Sequence, residues 1–173
     1  PLGLDQDGLE PVWHDFSRTP HLIAVGDTES GKTNLLRRVA AGITARYTPA
    51  EAKIIVVDYR RELVDAVPEE YRIGHVVSLD NLRETVDGVA RAMQTRQPGP
   101  DIAPARMRQC DWWTGPRLFV LVDDYDMVAG NSFQSPFEPL FDHLALGFEL
   151  GLHVVVARSA MGAGRGLNEA LLR

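Results

Sequence analysis

The sequence contains a single cysteine, Cys110, among its 173 residues. One thiol cannot form an internal disulfide, so a hydrophobic core has to hold the fold, and a reducing cytosol is the expected compartment. No apolar run approaches the length of a transmembrane helix. Because the chain opens on Pro1 rather than Met, we expect it to be a segment of a longer protein, folded as one domain over 1–173.

Positive charge and metal-ligand patterns are also scarce. The net charge of -6 gives no overall attraction to nucleic acid, although a local basic strip stays open. The histidines have no metal-ligand spacing, which favours packed or surface roles. They are His14, His21, His75, His143 and His153.

Short apolar runs alternate with helical periodicity along the chain. The runs predict buried strands over 22–25, 54–57, 73–77, 118–122 and 152–156. Apolar spacing predicts helices over 34–47, 61–67, about 82–97, 137–144 and 168–173. The first 17 residues are interpreted as an extended lead-in or hairpin, and 98–116, rich in proline, as a loop.

This alternation predicts an α/β domain, a mainly parallel sheet with helices on both faces. Such sheets bind ligands beyond the carboxyl ends of their strands. Chemically informative residues follow four of the predicted strands: Gly26, Asp58, Asp123 and Arg158.

One segment satisfies the complete phosphate-loop pattern G-x-x-x-x-G-K-[ST], between a predicted strand and a predicted helix. Its two glycines let the backbone turn tightly, so that successive N–H groups face one concavity that holds phosphates. The pattern predicts a nucleoside triphosphate site, for ATP with Mg²⁺. The residues are Gly26, Asp27, Thr28, Glu29, Ser30, Gly31, Lys32 and Thr33.

Three positions around the end of this loop have separate expected roles. Lys32 supplies a compact positive charge to the β- and γ-phosphates during binding and catalysis. The Thr33 hydroxyl is a predicted Mg²⁺ ligand, and the helix from Asn34 directs its positive end at the phosphates.

Two adjacent carboxylates follow the strand 118–122. Asp123 is interpreted as the carboxylate that holds Mg²⁺ through a water, the alternative being a solvated turn. Asp124 stands where hydrolysing ATPases often have a glutamate that polarises the attacking water. Aspartate is one methylene shorter, so its reach is shorter by roughly 1.5 Å, and we expect weak or absent hydrolysis.

Several further residues have two open interpretations. Trp112 and Trp113 form either a binding surface or a cover over the core. Arg158 and Arg165 follow the strand 152–156, where they either sense a γ-phosphate, contact a neighbouring subunit or are solvated surface residues.

The chain resembles the FtsK/SpoIIIE motor ATPases at residues 20–26, which read PHLIAVG, and at 151–157, which read GLHVVVA. It is more similar to the EccC ATPases of type VII (ESX) secretion systems, which share the lead-in, the loop 26–33 and the sequence Asp-Asp-Tyr-Asp found here at 123–126. The likeness spans nearly the whole chain and is greatest to a C-terminal module of those multi-ATPase proteins.

The resemblance implies a RecA-like P-loop NTPase fold. It also implies an ATP- and Mg-binding module that helps to recognise and export small helical secreted proteins, working with other ATPase modules, in a hexamer in the full assembly. The expected location is cytoplasmic, at the inner face of the membrane. An active motor that translocates protein or double-stranded DNA is the alternative, but Asp124 and the sequence ARS at 157–159, where motors have Ala-Thr-Gln, put turnover in doubt.

The same resemblance implies that the module receives the C-terminal tail of a small helical ESX-type protein. An amphipathic tail requires an apolar groove with aromatic or aliphatic anchors. The candidate anchors are Met107, Trp112, Trp113 and Met161.

Overall fold

The computed structural model describes residues 1–129 and 135–161. The helix predicted over 168–173 and Arg165 therefore lie outside the described residues. None of the helices in the described ranges combines the length and the apolarity that crossing a membrane requires.

Seven strands and six α-helices make up the described part of the chain. The strands are β1 Gly3–Leu4, β2 Pro11–Val12, β3 Leu22–Gly26, β4 Ala52–Val57, β5 Arg72–Val76, β6 Arg117–Val122 and β7 Leu152–Ser159. The helices are α1 Lys32–Arg46, α2 Leu79–Thr95, α3 Pro104–Gln109, α4 Tyr125–Ala129, α5 Phe141–Leu144 and α6 Gly147–Leu150.

Five of the strands form one parallel sheet in the order β3-β7-β6-β4-β5. The strand before the phosphate loop, β3, and the strand before Asp123, β6, are thus separated only by β7. All five strands end at the same edge, which we call the carboxyl edge, and begin at the opposite, amino edge. β1 and β2 form a small antiparallel hairpin, so the predicted lead-in is the hairpin alternative.

The core lies on both faces of the sheet because successive strand residues point to opposite sides. Along β4, Ile55 and Val57 pack in the cluster that includes the buried face of α2. Ile54 and Val56 pack in the other cluster, with the buried face of α1. This confirms the predicted fold class, a mainly parallel sheet with helices on both faces.

Two predicted segments differ from the structure for local reasons. The span 98–116 was predicted as a loop, but it contains α3, whose Pro104 occupies the first turn, where proline is favourable. The helix predicted over 61–67 is reduced to a 3-10 turn, Val64–Ala66. Asp58 accepts the Leu63 N–H, and Arg61 has φ 62°, which a right-handed helix does not tolerate.

The short helices around 125–150 could not be predicted in full from the spacing of apolar residues. The predicted helix over 137–144 is a 3-10 turn, Glu138–Leu140, followed by α5. α4 and α6, with five and four residues, are too short to produce a helical pattern of apolar residues.

Candidate functional site

The phosphate loop closes around its own lysine. Lys32 Nζ donates to the carbonyl oxygens of Gly26 at 3.0 Å and Asp27 at 2.5 Å. Gly31 has φ 86°, a conformation that suits glycine, whereas a Cβ at Gly26 would collide with the Ser30 side chain. The loop thus needs Gly31 for its backbone turn and Gly26 to leave room for the Ser30 side chain. The sequence analysis had assigned both glycines to the turn.

Helix α1 starts directly from the loop and is 15 residues long. Its first turn contains no acidic side chain, so no carboxylate competes for the amide groups at its start. Unpaired N–H groups and the helix dipole make such a terminus attractive to phosphate. The helix begins at Lys32, two residues before the predicted start at Asn34.

Thr33 and Asp123 meet across β7. Thr33 Oγ1 donates to Asp123 Oδ2 at 2.7 Å, although the two residues are 90 positions apart in sequence. Asp123 is buried, and its Oδ1 accepts the Asp124 N–H at 3.0 Å. Burial raises the pKa of the Asp123 carboxyl, against the lowering effect of these two hydrogen bonds. A divalent cation beside the carboxylate would favour its ionised form again.

The oxygen atoms of Thr33 and Asp123 fit a Mg²⁺ ion. Mg²⁺ prefers oxygen ligands and usually keeps several waters, with only one or two protein carboxylates. In the described ranges no group of three or more His, Cys, Asp or Glu side chains could hold a metal by itself. A magnesium ion here would therefore take most of its ligands from water and phosphate oxygens.

Asp124 lies beside this pair, but its carboxylate turns away to an arginine. Its Oδ2 is 2.8 Å from Nε of Arg60, in the turn after β4. Its backbone has φ 45°, and its carbonyl oxygen accepts the N–H groups of Met127 and Val128 at the start of α4. The backbone of Asp124 is thus fixed, while its side chain forms an ion pair at the surface.

A cleft of about 860 Å³ opens at the carboxyl edge. Of the predicted site residues, Gly26, Asp27 and Asp123 lie outside its lining. The predicted site residues that line it are Thr28, Glu29, Ser30, Gly31, Lys32, Thr33, Asn34 and Asp124. Ser159, which the sequence analysis connected with turnover, also lines the cleft. Sequence reasoning gave no site role to the other lining residues: Arg37, Arg60, Arg61, Glu62, Asp65, Asp126 and Met127. The position of Arg60 and Arg61 directly after a buried strand was the signal that could have identified them, because ligand sites collect at such strand ends.

Arg158 is neither solvated nor directed at the loop. Its side chain is 6% exposed, and its NH2 group donates to Asp126 Oδ1 at 2.8 Å. The other oxygen of Asp126 accepts the Ser159 N–H at 2.7 Å. The surface interpretation of Arg158 is wrong, because the side chain fastens β7 to α4 inside the protein.

Trp112 and Trp113 lie at the amino edge, half-buried. Their indole N–H groups donate to the carbonyl oxygens of Arg96 and Glu149, both at 2.7 Å. The Arg96 guanidinium stacks on the Trp113 ring at 4.2 Å and donates to the carbonyl of Leu150 at 2.9 Å. The pair therefore connects the end of α2 to the end of α6, and whether it also binds a partner stays a prediction.

The candidate anchors do not form one surface. Met107, half-buried in α3, precedes the tryptophans on the way to β6, whereas Met161 follows the end of β7 and is 84% exposed. β7 has 8 residues, so its ends are roughly 23 Å apart. A tail that contacts Met161 as well as Trp112 and Trp113 would have to extend from one edge of the sheet to the other.

Known proteins share this sequence and architecture. A model of the FtsK/SpoIIIE family matches residues 1–158. The ESX secretion system protein EccC of Thermomonospora curvata is 44% identical over 173 residues, which are 100% of this chain and 13% of that protein. The chain thus corresponds to a small part of that relative.

Solved structures agree with this likeness. The cytoplasmic domain of the T. curvata type VII secretion ATPase EccC has a TM-score of 0.94 at 44% identity, over 99% of this chain and 20% of that one. T. curvata EccC ATPases 2 and 3, in complex with a signal sequence peptide, give 0.92 at 44% identity, over 98% and 30%. The resemblance and the P-loop NTPase fold expected from the sequence are confirmed.

Proposed function

The chain belongs to the FtsK/SpoIIIE family, and on this premise we propose that it is an ATP- and Mg²⁺-binding module of a type VII secretion ATPase. The observation that supports this most directly is the hydrogen bond between Thr33 and Asp123, 2.7 Å long, at the end of a complete phosphate loop. It brings together the two side chains that hold magnesium in P-loop proteins.

Lys32 would contact the phosphates of a nucleotide bound at this loop. Its ammonium group has three donors, two of which lie on the Gly26 and Asp27 carbonyls, and it would reach the β- and γ-phosphates. The start of α1 supplies N–H groups to the same phosphates. Thr33 and Asp123 would hold Mg²⁺, which would neutralise phosphate charge there.

We further propose that hydrolysis by this module is weak. The Asp124 side chain is one methylene shorter than the glutamate of active motors, so its carboxylate reaches less far towards an attacking water. Ser159, which lines the cleft where motors have glutamine, has a shorter side chain as well. Steady-state phosphate release by the purified chain should stay well below about 1 per second, the lower end of common turnover numbers. A rate in that range without partners would contradict weak hydrolysis and favour the active motor.

Substitution of Lys32 tests nucleotide binding. Lys32→Ala removes the point charge at the phosphates and should weaken Mg-ATP binding at least about tenfold, or about 1.4 kcal/mol, in isothermal titration calorimetry. Lys53→Ala is a matched control, because Lys53 contacts the Glu70 carbonyl and does not line the cleft. Equal affinity of Lys32→Ala and the unaltered chain would contradict the assignment of the loop.

The partner of this module is proposed to be the C-terminal tail of a small helical secreted protein. Support comes from the 44% identical EccC ATPases 2 and 3, whose structure contains a signal sequence peptide. In this proposal the module lies on the cytoplasmic side of the membrane with other ATPase modules of the same system, in a hexamer in the full assembly. Met107, Trp112 and Trp113 stay candidate tail contacts at the amino edge, and Met161 is a separate candidate at the carboxyl edge.

Salt dependence separates a tail receptor from a DNA motor. A tail peptide held by apolar contacts should bind with little dependence on salt, whereas duplex DNA loses affinity steeply as salt rises. Fluorescence titration of the chain with each ligand at two ionic strengths makes the comparison. Tight, salt-sensitive DNA binding without peptide binding would replace the receptor by the motor.

A further inference from the structure

Two ion pairs at the carboxyl edge have the same length and opposite character. Arg60 Nε lies 2.8 Å from Asp124 Oδ2, with side chains 57% and 36% exposed. Arg158 lies 2.8 Å from Asp126 Oδ1, and its side chain is buried. Asp126 is also held by the Ser159 N–H. The Arg158 pair is a fixed part of the fold, whereas the Arg60 pair is open to solvent.

The exposed pair is weak enough to be exchanged. An ion pair exposed to water contributes little to stability, because solvent screens the charges and both side chains lose conformational freedom. Arg60 and Asp124 line the same cleft as the phosphate loop. A bound triphosphate would therefore place a stronger anion within the cleft that the Arg60 guanidinium already lines.

Arg60 retains donors for such an anion. Its Nε forms the ion pair with Asp124, and within the described ranges its two terminal amino groups have no other partner. The planar guanidinium fits phosphate oxygens in a two-pronged geometry. Asp124 directly follows Asp123, and Asp123 is hydrogen-bonded to Thr33, the predicted magnesium ligand. Magnesium in P-loop proteins contacts the terminal phosphate. An arginine released from Asp124 would therefore lie close to that phosphate.

We propose that Arg60 is a nucleotide-responsive latch that pairs with Asp124 in the empty site and transfers to the γ-phosphate of a bound triphosphate. The exchange makes Arg60 a determinant of preference for triphosphate over diphosphate and frees the Asp124 carboxylate only when a γ-phosphate is present. This inference rests on the proposed binding of ATP at the loop.

The neighbouring arginine provides a matched control. Arg61 lines the same cleft and carries the same charge, but among the described residues its side chain has no recorded partner. Its backbone N–H donates to the Asp58 carbonyl at 3.3 Å, which a side-chain substitution leaves in place. Arg61→Gln therefore measures the effect of losing one positive charge without losing the latch.

The test is calorimetric titration with Mg²⁺ and either a non-hydrolysable ATP analogue or ADP. Arg60→Gln should weaken binding of the analogue about tenfold and of ADP less than about twofold, because a charge-assisted hydrogen bond to the terminal phosphate is lost. Arg61→Gln should change both affinities by the same factor. Arg60→Lys should restore part of the preference, since the charge returns without the planar fork.

A double-mutant cycle tests the release of Asp124. Asp124→Asn keeps a residue that tolerates positive φ and removes the partner of Arg60. In a chain that keeps Arg60, Asp124→Asn should raise the affinity for the analogue, because the arginine is released. In the Arg60→Gln background there is no arginine to release, so the gain in affinity should be smaller by a factor of at least about three. Melting temperatures of all variants check that each is folded.

Each outcome bears on a defined part of the proposal. Equal losses for analogue and ADP in Arg60→Gln, or an additive cycle, would overturn the latch while leaving ATP binding intact. Failure of the unaltered chain to bind either nucleotide would overturn the proposed function and the latch together. Preference lost in Arg60→Gln, retained in Arg61→Gln and coupled to Asp124 would establish the latch.

Discussion

The two edges of the parallel sheet differ in the contacts of their polar side chains. At the carboxyl edge, Glu29, Arg61 and Asp124 adopt positive φ although none is glycine, and the ion pair between Arg60 and Asp124 is open to water. At the amino edge, Gly151 turns the chain and has the Trp113 ring packed against it. Three strained residues thus lie near the ligand cleft, although Cys110 at the end of α3 also has a positive φ. Around Trp113 at the amino edge, by contrast, the indole and Arg96 donors are paired with backbone carbonyls.

The largest effect is expected from breaking the amino edge. Trp113→Ala removes the ring that Arg96 stacks on and the donor to the Glu149 carbonyl. We expect the free energy of unfolding to fall by about 3 kcal/mol. Urea denaturation measures this loss, and Mg-ATP affinity should not change.

Trp13→Ala is the control for this substitution, because Trp13 is 71% exposed. It should change stability by less than about 0.5 kcal/mol. A loss of nucleotide affinity in folded Trp113→Ala would show that the two edges are coupled, against the separation described here.

Acid should also act first at the amino edge. Burial is the main reason why the pKa of His153 is lowered to about 4, and burial also lowers the pKa of His21 and of His14. A lowered histidine pKa means that the folded state favours the neutral ring, so stability is complete above about pH 6.5 and is lost as pH falls towards 4.

For His153 alone this linkage predicts a loss of about 2 kcal/mol between pH 7 and pH 5. Urea denaturation across that range measures it. His153→Phe should flatten the profile, since the ring packs beside Phe16 and Phe119. An unchanged slope in that variant would place the acid-sensitive group elsewhere.

The smallest change in stability is expected at the carboxyl edge. Asp123→Asn removes a carboxylate whose pKa burial raises, so at pH 7 we expect the free energy of unfolding to be unchanged or higher by up to about 1 kcal/mol. The dependence of ATP affinity on Mg²⁺ should nevertheless become weaker, which titration with and without the metal measures. A large loss of stability would show that Asp123 is primarily a structural residue.

The sequence predicted the features that depend on a local pattern and missed those that depend on contacts between distant segments. The loop 26–33, Thr33 and Asp123 were predictable because each depends on a local pattern and on the rule that parallel strands share one ligand edge. Arg60 and Asp126 were missed, because their contacts join segments far apart in sequence and no periodicity marks them. The burial of Arg158 could not be predicted for the same reason, since its partner Asp126 lies in a helix too short to predict.

The insertion of β7 between β3 and β6 has a mechanical consequence. Neighbouring strands are about 4.8 Å apart, so the strands that lead to Thr33 and Asp123 are separated by roughly 10 Å, with one strand as the spacer. The 2.7 Å hydrogen bond between those side chains therefore depends on the distance between these two strands. A shift of the end of β7, where Arg158 is paired with Asp126 of α4, would therefore change the distance between the Thr33 and Asp123 side chains that would hold magnesium.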